Sequence, residues 1–168
     1  MSWLYPWLLF AHVLGAVLAF GPTYAYGTYA GLAAQEGGAV RSFNDRARAL
    51  VNRRMVMPGT LVVLLSGFGM IWALDYPWSS PSARWLQASI VLFLGMIAYN
   101  LVVSRHRQGR IATLMAAARA SAPADGPPPA PSPEVGELIR QVRRDGKAMG
   151  VVVVVILFLM VVKPQVGV

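Results

Sequence analysis

Residues 3–24 read WLYPWLLFAHVLGAVLAFGPTY, with no Lys, Arg, Asp or Glu among them. A helix needs about 20 apolar residues to cross the hydrocarbon core of a bilayer. This stretch therefore reads as a membrane span, with its helix continuing to Ala34 and Pro22 as a candidate kink. Three further stretches read the same way. Met55–Leu74 carries Pro58 in its first turn, where proline is tolerated. The next runs from about Trp85 to Val103. Met149–Val162 is shorter but nearly pure Val, Ile, Leu, Phe and Met, between Lys147 and Lys163, which can snorkel to the interfaces.

Composition agrees with this reading. Of 168 residues, 56% are hydrophobic and 13% charged, about half the charged share of a soluble domain. A soluble globule of this size could not bury so much apolar surface, and disorder needs low hydrophobicity. The expected fold is all-α, an antiparallel four-helix transmembrane bundle forming one domain over 1–168. Its spans lie at about 3–34, 55–74, 85–118 and 134–163. Spans three and four are expected to extend below the membrane as amphipathic helices. Ile111, Leu114, Met115 and Ala118 have helical spacing, as do Val135, Leu138, Ile139 and Val142. Six prolines between Ala120 and Pro133 read as a flexible linker over 120–133. The stretch 38–54 reads as an interfacial helix, basic on one face.

The charges set the orientation. Thirteen of the 15 basic residues fall in 35–54 and 105–147, and only Arg84 and Lys163 lie on the opposite side. By the positive-inside rule both large loops face the cytoplasm and both termini face outward. All five tryptophans (Trp3, Trp7, Trp72, Trp78 and Trp85) fall at the expected outer ends, as an aromatic belt would. Tyr24, Tyr26 and Tyr29 are the corresponding inner belt. The net charge of +8 is then mostly a topology signal, with an anionic inner leaflet as partner and no nucleic acid. No Lys or Arg precedes Arg41, so the amino terminus lacks the basic region of a signal peptide. The expected location is a cell membrane, crossed several times.

Little in the spans can carry chemistry. The absence of cysteine excludes disulfides, thiolate metal sites, iron–sulfur clusters and covalent c-type haem. No acidic residue lies inside an apolar run, which removes carboxylate metal sites and Ser/His/Asp catalysis. His12 is the exception. An ionisable group at such depth usually faces other helices or a ligand, and Gly15, Ala16 and Ala19 share its face. An imidazole there can be an axial haem ligand, a metal ligand, a proton relay, or a neutral side chain hydrogen-bonded to a neighbouring helix. His106, at a helix end among arginines, reads as a surface residue. Met55 and Met57 do not share a helix face and read as packing residues rather than a Cu(I) pair. Thr60, Ser66, Ser89 and Asn100 read as interhelical hydrogen bonds.

Three segments carry a resemblance. They are Leu8-Leu9-Phe10-Ala11-His12-Val13-Leu14, Ser66-Gly67-Phe68-Gly69 and Phe158-Leu159-Met160-Val161-Val162-Lys163-Pro164. In order and position they resemble a bacterial family of four-helix integral membrane proteins known as a domain of unknown function. That family looks distantly similar to HemJ-type protoporphyrinogen oxidases and to CopD-like membrane domains. His12, the Arg53-Arg54 pair, Pro58 and Lys163-Pro164 look like the HemJ pattern. The resemblance implies binding of haem b or a related porphyrin, with His12 on the iron and Arg53 and Arg54 toward the propionates. The chain departs from that pattern at Gln87-Ala88-Ser89, where a lysine belongs, and at Tyr99-Asn100, where a Tyr-His pair belongs. Both departures speak against the oxidase reaction. Two other readings stand beside it. One is a non-enzymatic accessory subunit docking on a second copy or another membrane protein through its small-residue faces. The other is a small-solute or ion permease lined by Thr60, Ser66, Asn100 and His12.

Overall fold

The computed structural model describes residues 2–36, 38–122 and 130–164. The described residues are helical throughout their ordered elements, with no strand among them. The helices are α1 (Tyr5–Glu36), α2 (Gly38–Val51), α3 (Met57–Ala73), α4 (Arg84–Tyr99), α5 (Arg105–Ala120) and α6 (Pro133–Val162). A π-helical turn, Asn52–Val56, joins α2 to α3, and another, Asn100–Ser104, joins α4 to α5. The result is four helices long and apolar enough to cross a membrane: Tyr5–Ala33, Gly38–Ala73, Pro81–Ala120 and Pro133–Val162.

The reason for helix is solvent rather than propensity. Val151 to Val155 form a β-branched run of modest helical preference. In hydrocarbon, however, each backbone N–H and C=O needs a partner within the segment, and the helix supplies it. The same pressure carries α1 through Pro22 unbroken. Capping decides the ends. Ser132 accepts a hydrogen bond from the Val135 N–H at 3.4 Å, with Pro133 in the first turn of α6. At its other end, α3 closes through Asp75 in the left-handed region (φ 48°). The Tyr76 N–H reaches Ile71 O and the Asp75 N–H reaches Trp72 O, the Schellman pattern. Lys163 (φ 48°) ends α6, its N–H donating to Leu159 O at 3.0 Å, and Pro164 follows. The expected linker falls largely on 123–129, outside the described residues.

The chain divides into two compact units, residues 1–80 and 81–168. In the first, α1 lies against α3 with opposed direction: Leu8 meets Gly69, His12 meets Gly67, and Ala19 meets Gly59. The approach is close enough that a Cβ on Gly59 would stand 2.8 Å from the Ala19 nitrogen, and one on Gly15 would stand 3.0 Å from Gly59 O. The small-residue face of span one is thus occupied by α3 of the same chain. In the second unit, Trp85, Leu86, Ser89 and Phe93 form the buried face of α4, and Val135 and Val153 are buried on α6. The Lys163 ammonium stands 5.6 Å from the Trp85 ring centroid. Trp3, Trp7, Trp72 and Trp78 are exposed as a belt requires, but Trp85 is only 9% exposed. Its role is corrected from belt to core, because the end of α6 covers it.

Candidate functional site

The first two resemblance segments meet in space. The His12 ring lies against Gly67, where a Cβ would come 3.3 Å from Cε1. Nδ1 is 3.0 Å from the Val63 carbonyl oxygen and 3.2 Å from Ser66 Oγ. A carbonyl can only accept, so Nδ1 carries the ring proton. Ser66 donates its own proton to Val62 O within α3, which leaves its oxygen to accept from the imidazole. In the neutral ring the lone pair is then on Nε2, which has no hydrogen bond among the described residues. His12 is half-buried. Of the roles open to it from sequence, the helix-to-helix hydrogen bond is present, and it uses only one of the two nitrogens.

Arg53 and Arg54 sit in the π turn ahead of α3 and are exposed. Val63, the level of the imidazole, is nine residues beyond Arg54, about 14 Å along a helix. The structure does not bring the arginines to His12. No group of three His, Asp or Glu side chains able to hold a metal ion occurs among the described residues. His106, Met55, Met57 and Asn100 are exposed.

The span hydroxyls differ from expectation. Thr60 donates to Val56 O at 2.7 Å and Ser89 to Trp85 O at 2.7 Å, each four residues back on its own helix. This is a correction: they do not donate across helices, because back-bonding to the i−4 carbonyl satisfies a helical hydroxyl locally. Ser66 alone of the three also bridges, by accepting from His12.

Two polar groupings escape sequence reading. In the second unit, Arg107 pairs with Asp145 and donates to Tyr99 Oη at 3.2 Å, with side-chain exposures of 24% and 11% for the ion pair. Periodicity predicts that α5 and α6 meet, but eight basic residues compete for partners there and spacing does not choose among them. In the first unit, the Arg48 guanidinium stands 5.2 Å from the Tyr26 ring centroid.

Comparison with known proteins adds one finding. No curated protein and no solved structure matches the chain significantly, so the likeness to HemJ-type and CopD-like proteins gains no support there. A family model, "Predicted integral membrane protein (DUF2269)", matches residues 6–164. That range takes in all three resemblance segments, and the chain belongs to this family of integral membrane proteins.

Proposed function

We propose that this integral membrane protein binds a haem-like porphyrin, with His12 Nε2 as the axial ligand. The observation that carries the reading is the hydrogen bond from Nδ1–H to the Val63 carbonyl. Metal-ligating histidines generally donate their other ring N–H to a carbonyl or carboxylate, which fixes the tautomer and raises the basicity of the ligating nitrogen. Ser66 steadies the same proton, and Gly67 leaves room for the ring edge. The residues fit the group at this one donor. Arg53 and Arg54 would meet propionates only if the macrocycle's edge lay along the first turns of α3. A bound haem would supply one-electron redox chemistry whose potential depends on the imidazole and the surrounding dielectric. No reaction beyond binding is assigned. In our reading the chain sits in a bacterial inner membrane with both termini outward, because its basic segments flank the inner ends of the spans.

Absorption spectroscopy of protein purified from haem-supplemented cells tests the proposal. A Soret band in the wild type, lost in His12→Ala and retained in Ser66→Ala, is the expected result. A wild type with no band, or a band that survives His12→Ala, overturns it and leaves His12 as a link between helices.

A further inference from the structure

Positive charge is unevenly divided between the two units. Residues 1–80 hold five basic and three acidic side chains, whereas residues 81–168 hold ten and four. The described carboxylates of the second unit are all taken: Asp145 by Arg107, Glu134 by Arg110 and Glu137 by Arg140. Arg143, Arg144 and Lys147 form no ion pair among the described residues. With Arg140 they follow the i, i+3, i+4, i+7 pattern, which is one face of α6. All four are exposed. The opposite face carries Val135, Leu138, Val142 and Asp145, covered wholly or in part where α6 packs on α5. The basic face therefore looks away from α5. Its like charges repel at three- and four-residue spacing, so the face is stabilised when an anion lies against it.

Depth identifies the partner. Helix α6 runs unbroken into the apolar run that begins at Met149. Lys147, Arg144 and Arg143 precede that run by about 3, 7 and 9 Å along the helix. The headgroup layer extends about 5–8 Å beyond the hydrocarbon, so the three side chains reach the level of the lipid phosphates. Arg140 lies about 13 Å out, beyond that layer, and is the member of the stripe that takes its own carboxylate, Glu137. We propose that Arg143, Arg144 and Lys147 are a docking surface for the phosphates of anionic phospholipid headgroups. Arginine and lysine donate to phosphate oxygens with charge assistance. Arg105, exposed at the start of α5 and about 3 Å past Val103, adds to the positive potential at the same level. The general attraction of an anionic leaflet for basic segments is thereby assigned to one face of one helix. The surface is separate from His12, and loss of either leaves the other intact.

The test uses the full chain in detergent, with phosphatidylglycerol and phosphatidylcholine titrated in turn and bound lipid counted by native mass spectrometry. Phosphatidylglycerol is expected to bind about ten-fold tighter than phosphatidylcholine, with the difference shrinking in high salt. Arg143→Gln, Arg144→Gln and Lys147→Gln should each weaken phosphatidylglycerol binding about five-fold, and the triple variant should lose most of the preference. Glutamine keeps the helix, and with the like charges gone the melting temperature of the lipid-free triple variant should hold or rise. Arg119→Gln removes the same charge from an exposed position near the far end of α5. It lies about 24 Å past Val103, more than a Debye length from the lipid phosphates, and should leave binding unchanged. Equal affinity for the two lipids overturns the proposal, as does a loss in Arg119→Gln equal to that in Arg144→Gln. A preference that survives the triple substitution also overturns it and leaves the stripe to an acidic protein surface.

Discussion

Gly59 and Gly67 face the same helix and should respond differently to one added methyl. At Gly59 the obstacle is backbone, the Ala19 nitrogen at 2.8 Å and Gly15 O at 2.9 Å, and neither can move without separating α1 from α3. Gly59→Ala should therefore cost about 1–3 kcal/mol, read as a lower melting temperature in detergent. At Gly67 the obstacle is the His12 ring, 3.3 Å away, which can give by a few tenths of an ångström. Gly67→Ala should leave the fold intact and shift or weaken any Soret band. Gly27 has nothing within 4 Å of a Cβ, so Gly27→Ala should be neutral or gain about 0.5–1 kcal/mol from helix propensity. His12 was legible because an imidazole inside a chargeless apolar run has no bland compositional explanation. Its partner was not, since the Val63 carbonyl belongs to the backbone and leaves no mark in the residue code. Tyr26 was legible as an aromatic near a span end, but the Arg48 guanidinium over its ring was not, because that contact depends on α2 folding back along α1.

Two helices end on residues that dislike the conformation they adopt. Asp75 and Lys163 both take φ 48°, where a glycine avoids the Cβ clash. Asp75→Gly should stabilise the protein by up to about 1 kcal/mol, because the aspartate forms no ion pair among the described residues. Lys163→Gly gains the same backbone relief but forfeits the ammonium over Trp85, worth about 0.5–1 kcal/mol. The two terms nearly cancel, so its melting temperature should stay close to wild type, whereas Lys163→Ala loses the contact without the relief and should fall. The closing Lys-Pro of the resemblance thus has a physical meaning: the lysine caps one helix and covers the start of another. Ion pairs between α5 and α6 divide by exposure in the same way. Asp145→Asn leaves Arg107 half-deprived in a largely covered position and should cost about 2 kcal/mol. Glu134→Gln, at the half-exposed Arg110 pair, should cost under about 1 kcal/mol. The apolar periodicity of both helices was readable in the sequence. The pairings were not, because they depend on register between segments 38 residues apart.

For the whole chain, hydropathy located three of the four membrane-length helices within a few residues at both ends and the second, Gly38–Ala73, only at its far end, since the length of a span and its freedom from charge are one-dimensional properties. Continuity was less readable. The stretch 38–54 has the basic, amphipathic character of a separate interfacial helix, yet it runs through a π turn into α3 as a single rod, Gly38–Ala73. Nothing in Asn52-Arg53-Arg54-Met55-Val56 marks a break, and a π turn absorbs an extra residue without ending the helix. This continuity sharpens the topological expectation, because α2 runs on into α3 and the arginines of α2 precede the apolar run on the same helix. Placing them outside would set five arginines of 41–54 against the positive-inside bias, and the basic residues of 105–147 with them. The chain has no cysteine, so single cysteines report orientation against a blank background. Ser79, between α3 and α4, and Ser121, just past α5, are both exposed. In intact cells a membrane-impermeant maleimide should label Ser79→Cys and spare Ser121→Cys until the cells are opened. The reverse pattern would place the basic segments outside and invert the orientation. Labelling of both in intact cells would mean that the residues between them do not cross the membrane an odd number of times, contrary to a span made of Pro81–Ala120.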